Sequence, residues 1–173
     1  MRAILFCLLL GLSAAARAAQ PAPPAAKVVV LVTGIEHDKA AMALFQAQKL
    51  QAAGADVKLV FMGRAVVVAA DLAGKIPDQR RQNAGRIKPD DPKRAHKERL
   101  SYALEKAQPV APQARARFGQ LKSAGVAILA DGFSAAQMSL DDDLTAAGVP
   151  MSDATAPLDL TPFVLGGYQF ISF

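Results

Sequence analysis

Residues 27–33 read Lys-Val-Val-Val-Leu-Val-Thr, a continuous and mostly β-branched apolar run with no polar alternation. Such a run predicts a strand buried on both faces, the habit of parallel sheets. Gly34 and Ile35 turn the chain, and Asp38 is expected to cap a helix from Lys39 to Ala53, with Gly54 as the residue that ends it. Asp56 to Met62 (DVKLVFM) then predicts a second strand. Strand, helix and strand in this compass make a βαβ unit, with parallel strands and a right-handed crossover.

The rest of the chain continues the alternation. Arg64 to Ala73 carries Val66-Val67-Val68, which favours strand, within an Ala-rich stretch that favours helix; helix is the expectation. Further helices are predicted at Lys93–Ala107, Ala114–Ala124, Leu140–Ala147 and Asp159–Leu165, with Ser134 capping a short one. Val126–Ala130 and Tyr168–Phe173 complete the strands. The fold class that follows is α/β: a flavodoxin-like, open, mostly parallel sheet flanked by helices. Ligands of such sheets sit beyond the carboxyl ends of the strands, which directs attention to the loops 33–38, 62–64 and 130–134.

Ahead of this domain, residues 1–18 read as a secretory signal peptide. Arg2 supplies the positive start, AILFCLLLGL the short apolar stretch and Ala16-Arg17-Ala18 the cleavage signature. Residues 19–26 (AQPAPPAA) form a Pro/Ala linker, and 27–173 a single domain. The expected location is periplasmic or secreted, after cleavage near Ala18. The chain has one cysteine, Cys7, inside the signal. The exported chain would therefore lack thiols, which excludes cysteine nucleophiles, persulfide carriers and disulfides.

Charge is unevenly spread. Lys75 to Lys122 holds 13 basic and 5 acidic residues, whereas the chain from Asp131 onward has 6 acidic residues and no Lys or Arg. The aromatics inside the basic stretch are Tyr102 and Phe118 alone, and with an exported address this argues against nucleic acid. Residues 75–112, punctuated by prolines, read as a basic insertion attached to the core rather than part of it. Peripheral contact with anionic lipid is one use for it; a meeting with the acidic block, within or between subunits, is another. His96 reads as a surface residue, and Asp141-Asp142-Asp143 lacks the spacing of a calcium loop and reads as the acidic start of a helix.

The run KVVVLVTGIEHDKAAMALFQAQKLQAAGADVKLVFMGRAVVVAADL, the block GVAILADGFSAAQM and the ending YQFISF resemble the DsrE-like sulfur-relay family. The resemblance implies the flavodoxin-like fold, a habit of oligomerising, and DsrE-like subunits as partners. In relay members the third strand exits through a cysteine followed by glycine, and the resemblance places that cysteine at Asp131, before Gly132. A carboxylate cannot carry a persulfide. The expected protein is an exported DsrE-like domain without sulfurtransferase chemistry, acting as a binding or partner-interaction module, a homo-oligomer or partner subunit with a possible small ligand. No cofactor is implied. The ligand-binding candidates are Thr33, Gly34, Asp131 and Gly132. The alternative is a switch-point enzyme or metal-binding protein using Glu36, His37 and Asp131, since carboxylates beside an imidazole suit acid–base or metal chemistry.

Overall fold

The computed structural model describes residues 25–76, 90, 92, 94–106 and 109–173. The signal segment 1–18, most of the linker 19–26 and much of the basic stretch 75–112 lie outside them. The element order is β1 (Lys27–Val32), α1 (His37–Ala52), β2 (Asp56–Phe61), α2 (Ala65–Leu72), α3 (Arg94–Lys106), α4 (Pro112–Ser123), β3 (Ala127–Ala130), α5 (Gly132–Gln137), α6 (Asp141–Ala146), α7 (Thr161–Leu165) and β4 (Gln169–Ser172).

The four strands form one parallel sheet in the order β3-β2-β1-β4. Val28 is level with Val57 on one side and Gln169 on the other. The chain steps from β1 to β2 to β3 in one direction, then returns across the whole sheet to β4. Right-handed crossovers that run in opposite directions lie on opposite faces of a sheet. The helices between β1 and β3 thus share one face; α5 and α6 pack with α2 in the same core, and the chain after them crosses the other face.

Side chains alternate between faces along each strand. Val28, Val30, Val32, Val57, Leu59, Phe61, Ile128 and Ala130 point to the first face and join one core with Ala40, Ala43, Leu44 and Ala47 of α1. Each fully buried aliphatic side chain of this kind contributes about 1.5–3 kcal/mol relative to exposure. The second face carries Lys27, Val29, Asp56, Lys58, Val60, Ala127, Leu129 and Phe170. Val29 and Val60 are buried there. The last turn of α7 and β4 leave Val164 58% exposed, Leu165 82% and Phe170 38%. This face is covered at its centre, over Val29 and Val60, and thinly covered toward β4.

Helix α2 settles the ambiguity of Arg64–Ala73. All eight of its residues are buried, from Ala65 to Leu72. Tertiary packing outweighs the strand preference of the three valines. Its one polar residue, Asp71, is 1% exposed. Asp71 accepts from the Val110 backbone N–H at 3.0 Å and from the Arg115 guanidinium at 2.7 Å. These bonds tie α2 to the start of α4.

Three local expectations need correction. The residue that starts α1 is Glu36, in extended backbone geometry, and Asp38 lies inside the first turn, accepting from the Lys39 N–H. Asp131, not Ser134, is the residue that starts α5. The basic stretch is not merely attached to the core: Leu100, Ala103 and Leu104 of α3, with Ile76 and Val110, are buried in the main cluster. The i, i+4 pair Leu100/Leu104 supplies α3 with an apolar stripe that α2 covers.

Candidate functional site

At the carboxyl edge of the sheet, β1 exits into Thr33–Glu36 and β3 exits into Asp131–Gly132. Thr33 donates its N–H and its hydroxyl to the Phe173 carbonyl, at 3.1 and 3.3 Å. This ties the exit of β1 to the end of β4. The Glu36 carboxylate folds back over Gly34, occupying the space a β-carbon there would need. It also pairs with Lys39 at 3.4 Å. A bond from its own backbone N–H, and then the Lys39 charge, hold its carboxyl below the usual value. His37 follows as the first residue of α1 and is half-buried.

Asp131 lies at the same edge, two strands away, because β2 separates β1 from β3. Strand spacing of about 4.8 Å places the two exits about 10 Å apart. Glu36, His37 and Asp131 are therefore not brought together as one constellation. Among the described residues, no group of three His, Cys, Asp or Glu is placed to hold a metal ion.

Asp131 is 2% exposed, and both of its carboxylate oxygens are occupied. Ser134 donates its hydroxyl to one oxygen at 2.5 Å, and the Leu158 N–H donates to the other at 3.1 Å. The neighbouring Gly132 N–H donates to the Ser152 hydroxyl at 2.9 Å. A β-carbon at 132 would overlap the Ser152 carbonyl oxygen, so only glycine allows the chain to pass this closely. Ala130 bonds the same returning segment, through its N–H to Pro150 and its carbonyl to Ser152. Asp131 and Gly132 thus form a latch that holds residues 150–158 over the end of β3. The sequence places the pair at the correct edge. It does not reveal the latch, whose partners lie 20 and 27 residues downstream.

A second polar group lies at the opposite, amino edge of the sheet, on the thinly covered face. Tyr168 donates its hydroxyl to Asp56 at 2.5 Å, and Lys58 pairs with the other Asp56 oxygen at 3.0 Å. Lys27 donates to the Gly166 carbonyl at 3.0 Å and stands 5.6 Å from the Tyr168 ring. The Tyr168 hydroxyl, followed by Lys58, holds the Asp56 carboxyl below its ordinary 3.8. The bond to Asp56, followed by burial, raises the Tyr168 hydroxyl above its ordinary 10.0. The sequence signal was the alternation Asp56-Val57-Lys58, which breaks an apolar strand with two polar residues on one face.

Both shifts link this group to stability. A depressed carboxyl contributes stability that is present above the unfolded value and lost as pH falls through the lower folded value. A raised tyrosine contributes stability that is present below pH 10 and lost as pH rises through the higher folded value. Tyr168→Phe should therefore cost about 1 kcal/mol or less near neutrality, given the partial exposure of Asp56. The gap to the parent should narrow below the ordinary carboxyl value. Urea unfolding of both proteins from acid to neutral pH measures it; a gap that widens toward acid would contradict the assignment.

Taken together, the parallel sheet, the carboxyl-edge loops and the helix-covered face define a flavodoxin-like α/β protein. The chain belongs to the DsrE/DsrF-like family, whose model matches residues 26–173. No curated protein and no solved structure matches the chain.

Proposed function

We propose that this DsrE-like chain acts by binding, as a self-assembling partner module, and does not relay sulfur. The observation that carries the reading is the state of Asp131. Where the family resemblance puts the relay cysteine, this chain has a buried carboxylate with both oxygens engaged in holding its own return segment. The same engagement removes Asp131 from the role of acid, base or ligand, which weighs against the switch-point enzyme.

The partner is a second copy of the chain. Its contact surface is the thinly covered sheet face at Val164, Leu165 and Phe170. Isolated apolar residues on a surface are ordinary; Phe170 lies on the edge strand β4, and an exposed edge strand favours coverage by another subunit. The opposite charge blocks of the sequence, basic before Lys122 and acidic from Asp131 on, favour attraction between two copies. The apolar face of α1 is the weaker surface. Phe45 already lies under Lys49 and Arg117, at 4.7 and 5.2 Å from its ring.

The assembly would work outside the cytoplasm, following the signal-like residues 1–18. Among the described residues, no helix is long and apolar enough to cross a membrane. Leu165→Asp is the variant that tests the reading, because it places a charge on the proposed contact at a residue that is 82% exposed. Self-association should be lost, with the unfolding midpoint unchanged.

A further inference from the structure

The free edge of β3 borders a cleft on the same second face, at the edge of the sheet opposite Phe170. It has a volume of about 430 Å³ and is lined by Lys58, Lys122, Ala127, Leu129, Val149 and Phe163, among others. That volume lies within the range of small-molecule sites, and the walls are chiefly apolar. We propose that this cleft binds an amphipathic carboxylate, an apolar body with one anionic end.

Backbone direction supplies part of the argument. Successive residues of a strand in a parallel sheet bond to opposite sides. The Asp131 N–H donates to Phe61 of β2, whereas the Ala130 N–H donates outward to Pro150. By the same alternation, the N–H and carbonyl of Ile128 point outward, into the cleft. Within β3 this is the residue left open on the outer side, because the Pro150–Ser152 segment already pairs with Ala130. One open residue is too little to seat an added peptide strand, which needs a ladder of several. It is enough to supply one N–H donor to a small anion.

Charge supplies the rest. Lys58 is partly neutralised by Asp56. Lys122 donates to the Ala147 carbonyl at 2.5 Å and has no carboxylate partner among the described residues. An apolar cleft with a surplus ammonium group and one backbone donor matches a carboxylate on an aliphatic or aromatic body. Lys122 is exposed and its charge is hydrated, so a neutral ligand of the same shape only forgoes the charge-assisted contact. The signal in the sequence is faint: Lys122 is one basic residue among many, and only the fold carries it to β3.

Calorimetric titration of the full chain with decanoate, and separately with decan-1-ol, tests the site. Decanoate should bind saturably and decan-1-ol about tenfold more weakly, the loss of one charge-assisted contact. Lys122→Gln should weaken decanoate by roughly five- to tenfold and leave decan-1-ol unchanged. Ala127→Phe, which fills the cleft from an exposed position on the edge strand, should abolish both. Absent decanoate binding would overturn the proposal. So would equal affinity for the two probes, or binding that survives Ala127→Phe. The cleft shares the second face with the proposed contact, so the same titrations on Leu165→Asp separate failure here from failure of the assembly reading.

Discussion

Arg115→Ala is expected to destabilise the fold by about 3–5 kcal/mol, the cost of stripping a partner from a buried charge. Asp71 is 1% exposed and stays in place when Arg115 is removed. The neutral Val110 N–H does not replace the guanidinium charge. Arg115 itself is 40% exposed along its side chain, so the reverse loss is gentler. Asp71→Ala lets the guanidinium rehydrate but strands the Val110 N–H, at about 1–3 kcal/mol. The combined change Asp71→Asn with Arg115→Met removes both charges and keeps an acceptor for Val110. It should be more stable than Arg115→Ala alone. Urea unfolding midpoints of the three variants check the order. An Arg115→Ala protein within about 0.5 kcal/mol of the parent, the range of ordinary surface substitutions, would show that the pair holds nothing.

Asp131→Ala is the second large effect, at about 2–4 kcal/mol, because it leaves the Leu158 N–H and the Ser134 hydroxyl without their acceptor in a part-buried site. The loss should be local as well as global. Residues 150–158 are held at β3 by Asp131, by the Gly132–Ser152 bond and by the bonds at Ala130. Hydrogen exchange at the Leu158 amide should accelerate ahead of exchange in β1 and β2. Asp131→Asn retains one good acceptor and should fall between the parent and alanine. If Asp131→Ala left both the midpoint and Leu158 exchange unchanged, the latch would be discarded. Asp131 would then be open again to a chemical role.

The contrast between these two sites shows what the sequence made legible. The apolar run at 27–33 and the DVKLVF strand foretold the paired parallel strands, because burial on both faces leaves a continuous pattern. Gly54 ends α1 with a positive φ of 83°, as its position after an amphipathic run suggested. Helix α2 was harder, since Val66-Val67-Val68 prefers strand and only complete burial explains the helix. Position 131 was assigned to the correct edge by strand count and resemblance. Its chemistry was not readable, because an aspartate held by Leu158 and an aspartate aimed at solvent look the same in one dimension.

The integration of α3 was obscured in a different way. Prolines and charges dominate residues 75–112, whereas the packing rests on Leu100, Ala103 and Leu104, a stripe of three small and medium apolar residues. Asp71 and Arg115 gave no local signal at all. An acid inside an otherwise apolar helix points to a buried partner, but nothing in the sequence chooses Arg115 from 20 Lys and Arg residues. The thin second face of the sheet was visible only as the polar alternation of Asp56 and Lys58. Its apolar half at Leu165 and Phe170 depends on where the return segment crosses.

Sedimentation velocity of the parent and Leu165→Asp proteins, each at about 0.05 and 0.5 M salt, tests the central claim most directly. The Debye length shrinks severalfold over this range, so charge-only association fades while apolar contact persists or strengthens. The account predicts a parent oligomer that survives at high salt and a Leu165→Asp protein that is monomeric at both. Attraction between the opposite charge blocks adds only about 0–1 kcal/mol per exposed pair, enough to weaken the parent modestly as salt rises. A parent that is monomeric throughout, one that dissociates completely at high salt, or a Leu165→Asp protein that assembles like the parent would contradict assembly through the Leu165 and Phe170 surface.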